Sequence, residues 1–448
     1  MKDLGIVICN FNKVDYLRNC LKSIAGANFN NLLYDIIVVD NASTDGSEEM
    51  VCKEFPNVIL IQTGANLGGA GGFARGMQYV LDNKYKYLSV LDNDTIVDKN
   101  AFIELKNHLD NNDDVGVVGS TILKMDEPDI IQEMGAILDY EEYCFFLNFN
   151  ERIYSNDIPQ VVECDYVPAC CFMTRYDVLE EVGIFDETYF IYWDDIDWCT
   201  RVKKSGNKIQ AISSSKVWHK GGAKLVTNTF PVYYYTRNAV RFFVKNIKND
   251  TLEHMSRKFS EFLAQQFYFA TNKNEENYVV STIMGIDDAY ANYVGANWDS
   301  IKPRERELHK FYENCKNKKV ALLEYNNIYN MKSIIKNLIL ADTDLTVFVK
   351  DLDVKTLKGY FPSIDIKDIS TYISGNFDLT IQAVKHIDTS LESYDQSRLY
   401  LDALGNYIMD DESKKSVQNF LKFKEMFIKV YKPILEIKFN RIKNDISK

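Results

Sequence analysis

The sequence predicts an α/β fold: a Rossmann-like, mostly parallel sheet in the N-terminal half, a helical segment, then a small second α/β unit. Three observations carry this. Short apolar runs alternate with stretches of helical periodicity, the pattern of strands buried on both faces. Polar clusters follow the runs at Cys9, Val39, Ile61 and Leu91, at the carboxyl ends where parallel sheets gather ligands. A strand–helix–strand pattern recurs near the C-terminal third.

Residues 5–9 (GIVIC) read as the first buried strand. Val14–Ala25 reads as a helix, with Tyr16, Leu17, Cys20, Leu21 and Ile24 on one face. Residues 34–39 form a second strand ending at Asp40, and residues 58–62 a third. Residues 73–81 read as a helix after a glycine loop, and residues 87–91 as a fourth strand ending at Asp92-Asn93-Asp94. Mixed strands and helices continue to Gly222. From Pro231 the chain turns aromatic and helical (YYYTRNAVRFF) as far as Asn272. Residues 320–324, 331–340 and 345–349 then give strand, helix and strand. The expected division is a sheet domain over 1–225, a mainly helical extension over 226–315, and an α/β unit over 316–448.

Hydrophobic residues at 46% and charged residues at 26% describe a globular chain and exclude a disordered one. A net charge of −12 excludes general nucleic-acid binding, which needs a basic surface. Nine scattered cysteines without a CxxC pair make neither a zinc site nor a disulfide framework, so a reducing compartment is expected. The N-terminus turns polar too soon for a signal peptide, and no apolar run approaches the ~18 residues that span a bilayer. A cytoplasmic protein is expected, either free or peripheral on the cytoplasmic face of the membrane.

The residues from Lys414 onward differ: ten Lys or Arg stand against three acids. Phe420, Phe423, Phe427, Val430, Ile434 and Ile437 recur there at helical spacing, interrupted by Pro433. This basic amphipathic helix suits an anionic membrane surface. Docking of its apolar face on its own domain fits the periodicity equally well.

Four clusters carry chemistry. Asp92 and Asp94, one residue apart at a strand end, suit a hard divalent cation, although acidic turns without an ion are common. Asp40, followed by Asn41 and Ser43-Thr44-Asp45, suits a base or ribose, or a capped turn. Asn66-Leu67-Gly68-Gly69-Ala70-Gly71-Gly72-Phe73-Ala74-Arg75 lacks the P-loop pattern. Its glycines allow close backbone approach, and Arg75 suits a diphosphate. Trp193-Asp194-Asp195 opens a helix in which Asp197 and Arg201 brace one another. A carboxylate there suits a general base, and Trp193 suits either a sugar face or core packing. Val217-Trp218-His219 adds a histidine able to complete a metal shell.

In order and spacing these parts resemble glycosyltransferase family 2, inverting enzymes of GT-A fold, over roughly residues 3–245. NLGGAGGFARG, WDD and VWH are most similar to the galactofuranosyltransferase branch. The resemblance implies that Asp92, Asp94 and His219 hold Mn2+ or Mg2+, and that Asp195 is the catalytic base. It implies UDP contacts at Phe11, Lys13, Asp40, Asn41 and Asn66, with Arg75 and Asp92 beside them. Lys13 stands where arginine is commoner and gives no bidentate contact. Trp193 and Asp194 fall on the acceptor side. The implied reaction moves galactofuranose from UDP-galactofuranose to a glycan or lipid-linked glycan of a bacterial surface polysaccharide. Rhamnosyl or other hexosyl transfer from a dTDP- or UDP-sugar stays open. A non-catalytic glycan-binding or scaffold subunit would not need all four of Asp92, Asp94, Asp195 and His219. A nucleotidyltransferase would not need the WDD helix with its downstream histidine. The second α/β unit is a candidate pairing surface for a homo-oligomer or a wall on the acceptor side.

Overall fold

The run LGIVICN forms a central strand, β1 (Leu4–Asn10), because its β-branched and apolar side chains are covered on both faces. The computed structural model describes residues 2–150, 152–221, 228–248, 251–270, 276–303, 310–324, 328–384, 387, 395, 397–402 and 407–446. The chain divides into two units. The first comprises residues 1–249, 281–302 and 440–448, and the second residues 250–280 and 303–439.

In the first unit β1 is followed by α1 (Val14–Ala25), β2 (Tyr34–Asp40), α2 (Ser47–Glu54), β3 (Ile59–Gln62), α3 (Gly68–Asp82) and β4 (Tyr87–Asp92). These strands pair in parallel in the order β3-β2-β1-β4, a wound sheet whose carboxyl ends share one edge. Next come β5 (Thr95–Val97), α4 (Ala101–Asn111), β6 (Val115–Lys124), β7 (Ile131–Glu133), β8 (Ala136–Asp139), β9 (Cys144–Leu147) and β10 (Val161–Glu163). Then β11 (Cys171–Arg175), α5 (Tyr176–Val182), α6 (Asp194–Lys204), β12 (Lys208–His219) and α7 (Phe230–Asn246) complete the segment. β11 inserts antiparallel between β4 and β6, and β12 runs parallel to β6. This pairing brings His219 at the end of β12 beside Thr95 of the short strand β5, directly after the Asp92-Asn93-Asp94 turn. Leu17, Leu21 and Ile24 of α1 pack with Ile6, Ile8 and Val38 of the sheet, all fully buried. Truncating one such leucine costs about 2–5 kcal/mol.

The glycine segment differs from expectation. It is not a loop before a helix; α3 starts at Gly68 itself. Three of its four glycines are needed by the chain rather than by a ligand. A Cβ at Gly72 would meet Cys9 Sγ at 2.2 Å, and one at Gly71 would meet Leu67 at 2.6 Å. A Cβ at Gly68 would meet the Phe190 carbonyl at 2.0 Å. Only Gly69 of the four faces open space.

The second unit contains α8 (Leu252–Ala270), the start of α9 (Glu276–Tyr290), α10 (Lys310–Cys315), β13 (Lys319–Leu323), α11 (Ile328–Leu340) and β14 (Asp344–Val349). It continues with α12 (Asp351–Tyr360), β15 (Asp365–Asp368), β16 (Leu379–Val384), β17 (Leu399–Asp402), β18 (Tyr407–Ile408) and most of α13 (Asp411–Ile446). Its sheet has the order β15-β14-β13-β16-β17-β18 and is parallel except at β18. α13 runs unbroken through Pro433, which the sequence reading treats as an interruption. The proline leaves one carbonyl without its helical donor, and a long helix held by packing tolerates that loss. No helix among the described residues is long and apolar enough to cross a membrane.

Candidate active site

The carboxyl ends of β1, β2 and β4 are tied to one another by side chains. Asn93, between the two aspartates, donates through Nδ2 to Asn10 Oδ1 at 2.7 Å. Asn10 Nδ2 in turn donates to Asp40 Oδ1 at 2.9 Å. Asp40 also accepts from the Ser43 backbone N–H at 2.9 Å and from the Ser43 hydroxyl at 2.6 Å. Asp40 is therefore bonded inward on three sides. Asn41 is buried as well, and its amide donates to the Gly68 carbonyl at 2.7 Å, fastening α3 to β2.

His219 meets the DxD turn. Its Nε2 lies 3.0 Å from Asp94 Oδ1 and 3.6 Å from Asp92 Oδ2. On its far side Nδ1 lies 3.0 Å from Gln132 Nε2, so Gln132 fixes the ring. Cys170 Sγ belongs to the same cluster, within 4.8 Å of the Asp92 and His219 donor atoms. Burial works to lower His219, but Cys170, Asp94 and Asp92 outweigh it and hold the imidazole well above its usual range. Burial raises Asp92 to about 6, with Asp94 and Asp195 adding to it against the opposing pull of His219. Burial also works to raise Asp94, yet the bond to His219 and the nearby charge of Lys13 hold it below the ordinary aspartate range. Among the described residues the donor atoms that all lie within 4.8 Å of one another are those of Asp92, His219 and Cys170, with Asp94 reaching the group through His219. Carboxylates with an imidazole suit a divalent cation such as Mn2+ or Mg2+.

Asp195 joins this cluster electrostatically, since its charge helps to raise Asp92. Its Oδ2 accepts from the Ala169 backbone N–H at 3.2 Å. Burial pushes its carboxyl up to about 6 against the pull of that bond. Asp194 is buried beside it, and burial and the neighbouring Asp195 raise it well above the usual value. Asp197 has no part in the cluster. It accepts from Arg201 at 3.1 Å and Lys245 at 2.7 Å, bracing α6 against α7.

The segment before α6 is strained. Phe190, Tyr192 and Trp193 all have positive φ, between 64° and 72°, a region side chains rarely adopt. What holds it comes from α7: Asn238 Nδ2 donates to the carbonyls of Tyr189, Ile191 and Tyr192 at 2.8–3.0 Å. Arg237 adds a donation to Tyr189 O at 2.8 Å, and from α3 the Ala70 N–H reaches Phe190 O at 3.1 Å. The Trp193 expectation needs correction. The indole is 3% exposed, enclosed by Phe145, Phe242 and Phe243, so it is core packing and offers no face to a sugar. Tyr235 covers it at 5.7 Å and is itself exposed.

The remaining nucleotide candidates are spread along the same edge. Phe11 is exposed after β1, and Lys13 lies close enough to act on Asp94. Asn66 Oδ1 accepts from the Gly68 N–H at 2.9 Å. Arg75 is half-exposed on α3 and 3.4 Å from Glu187. Sequence reasoning missed Gln132, Glu133, Cys170 and Asn238. Glu133 is buried next to Asp195, with Oε1 lacking a hydrogen-bond partner among the described residues. Burial raises it to about 8, and the charge of Asp195 adds to this. The available signal was polar residues inside apolar runs, Gln-Glu in IIQEMG and Arg-Asn in YYYTRNAV.

Residues 5–183 match the model of Glycosyl transferase family 2. The chain is 24% identical to the low-salt glycan biosynthesis hexosyltransferase Agl10 of Haloferax volcanii, over 47% of this chain and 64% of that one, just under two-thirds of the relative. It is 24% identical to the dTDP-rhamnosyl transferase RfbF of Shigella flexneri, over 58% of this chain and 87% of that one. It is 24% identical to an N-acetylglucosaminyl-diphospho-decaprenol L-rhamnosyltransferase of Mycobacterium tuberculosis, over 48% of this chain and 75% of that one. The family match and the sheet order support a GT-A fold for the first unit. The galactofuranosyl branch is not among these relatives, whose names are for hexosyl and rhamnosyl transfer.

Proposed function

We propose, from the family 2 match over residues 5–183, that this chain is an inverting, metal-dependent glycosyltransferase of surface glycan biosynthesis. The observation that carries the reading is the convergence of Asp94, Asp92 and His219, from two distant strands, beside a raised Asp195. Asp195 takes the proton from an acceptor hydroxyl as that oxygen attacks the anomeric carbon. Attack comes from the face opposite the diphosphate, so the anomeric configuration inverts. The C–O bond to the nucleoside diphosphate breaks, and the diphosphate leaves with the bonding pair. Asp92, Asp94 and His219 would hold a divalent cation, which would supply positive charge to stabilise the departing diphosphate. Phe11, Lys13, Asp40 and Asn66 form the nucleotide side, where Asp40 acts mainly by holding the Ser43 turn. Arg75, 3.4 Å from Glu187, is the candidate for the diphosphate. Asp194 borders the acceptor, and Tyr235 takes the stacking role that the buried Trp193 cannot fill.

For the donor, the glycine, WDD and VWH motifs favour UDP-galactofuranose. A second reading, dTDP-rhamnose, is favoured by the relative named as a dTDP-rhamnosyl transferase. A lipid-linked acceptor is supported by the relative named for a decaprenol-linked sugar. The test is a donor screen that measures metal-dependent release of UDP or dTDP. Release from UDP-galactofuranose alone is the expected result, and release from dTDP-rhamnose alone replaces it with the second reading. No release from any nucleotide sugar, with metal and a panel of glycan acceptors present, refutes the enzyme.

A further inference from the structure

The apolar positions of α13 do not lie on one face. Val417, Phe420, Leu435 and Phe439 are buried, with Phe420 against Tyr268 and Phe439 against Phe259 of α8. Phe423 and Phe427 pack at a tilt against Tyr268 and Phe267 at the border of that packed face. A second set faces outward: Met426 is 60%, Val430 63% and Ile437 68% exposed, with Pro433 and Ile434 also exposed between them. Their spacing of four, three, one and three residues sets them on one side of a helix with about 3.6 residues per turn. A helix already docked by its other face has no folding reason to keep this second apolar side bare.

The flank of this face is basic. Lys422 and Lys429 are exposed along one border, and neither has an acidic partner among the described residues. Lys432 is different, pairing with Glu253 of α8. By the same helical spacing Glu425 and Glu436 fall beyond the lysines, away from the apolar side. Unpaired cations beside exposed aliphatic side chains, on a chain of net charge −12, select what can cover this surface. A second copy laid on the same face would set lysine against lysine, without the opposite charges that pair helices. An anionic bilayer offers hydrocarbon for the aliphatic residues and phosphates for the lysines together.

We propose that the exposed face of α13, Met426, Val430, Ile434 and Ile437 with Lys422 and Lys429, is a docking surface for anionic lipid. The helix lies in the plane of the interface, with its opposite face still packed on α8. This surface does not depend on the sugar chemistry, so it is tested without activity.

The experiment is co-sedimentation of the full chain with vesicles. One set is phosphatidylglycerol mixed with phosphatidylcholine, and the other is phosphatidylcholine alone. Binding is expected only to the mixed vesicles and is expected to weaken with salt. Lys422→Gln with Lys429→Gln should weaken it by about fivefold per lysine. Val430→Asp with Ile437→Asp should abolish it. All four positions are exposed, so thermal melts should stay unchanged, and a variant that melts like the parent shows that the loss is local. Equal binding to both vesicle types, or unaltered binding by the folded aspartate variant, overturns the proposal. So does a dimer in sedimentation velocity that the same variant dissolves while the parent ignores the vesicles.

Discussion

Gly68→Ala separates a structural account of the glycine segment from a ligand-binding one. Gly68 has φ of 72°, and an added Cβ would lie 2.0 Å from the Phe190 carbonyl oxygen. Ordinary carbon–oxygen contact needs about 3.3 Å, so one partner must move by roughly 1.3 Å. Phe190 leads into the strained turn that aims Asp194 and Asp195, and it accepts from Ala70 at 3.1 Å. The left-handed backbone costs an alanine about 1–2 kcal/mol. A weakened hydrogen bond costs about 1 kcal/mol. A loss of roughly 3 kcal/mol corresponds to a melting shift of about 5 °C for a unit of this size. A base displaced by about 1 Å loses on the order of 100-fold in rate. The control is Gly69→Ala, where a Cβ meets nothing within 4 Å; it should be neutral or stabilise by about 0.5 kcal/mol. The readouts are a thermal melt and kcat for nucleotide release at saturating donor. If Gly68→Ala melts and turns over like Gly69→Ala, the contact with Phe190 does not position the carboxylates.

Three further outcomes follow from the same geometry. Asp195→Asn should lower kcat by about 10²–10⁴ while leaving the donor KM near its parent value. The proposed base must be ionised, so the parent rate should fall as pH drops through about 6, and equal activity at pH 5 and 7 would exclude Asp195 as that base. Gln132→Leu removes the partner of His219 Nδ1 and should weaken Mn2+ binding by about 10–100-fold in calorimetric titration. Unchanged affinity would place His219 outside the metal shell. Glu133→Gln should stabilise the fold at neutral and alkaline pH. Its folded-state pKa of about 8 lies above the unfolded value, so the stability it lends is complete below pH 4.5 and is lost as pH rises to 8. Glutamine has no proton to hold back from the unfolded chain, which spares on the order of 3 kcal/mol at pH 7, so the variant's melting advantage should widen from pH 5 to pH 8. A constant difference would mean that Glu133 is ionised in the folded chain.

What could be read in advance was whatever depends on near neighbours in sequence. The apolar period of α1 gave its limits, Val14 and Ala25, because the buried face of a helix repeats within a turn. Asp92 and Asp94 stood out because a strand end and a spacing of two are local facts. Asp195 and His219 could be singled out as a carboxylate at a helix start and a histidine downstream of it, but their joining Asp92 and Asp94 in one site came from the resemblance and not from any periodicity. The glycines were misjudged because the group that fills the space at Gly68, the Phe190 carbonyl, comes from more than a hundred residues away. Trp193 was misplaced for a related reason. Its left-handed backbone turns the indole inward, and nothing in the letters WDD reports a φ of 72°. Gln132 and Asn238 act through donors aimed across the unit, which the pairing of β7 and β12 with the same strand β6 and the placement of α7 create.

Asp94 and Asp195 show why one acidic cluster can support two opposite roles. Both are aspartates removed from water, and burial alone would raise both. Asp94 is bonded by His219 at 3.0 Å and feels the charge of Lys13, so its carboxyl stays below the ordinary aspartate range and is suited to hold a cation. Among the described residues Asp195 has neutral backbone donors, from Ala169 and Ile196, so burial prevails and its carboxyl rises to about 6. A carboxyl near 6 is mostly ionised at neutral pH, yet holds a proton far better than an exposed aspartate does. That is the range a general base needs. The difference lies in what each helix or strand brings to the carboxyl, not in the carboxyls themselves. Exchanging Asp94 for glutamate should therefore affect metal binding without creating a second base, because the longer side chain would still face His219.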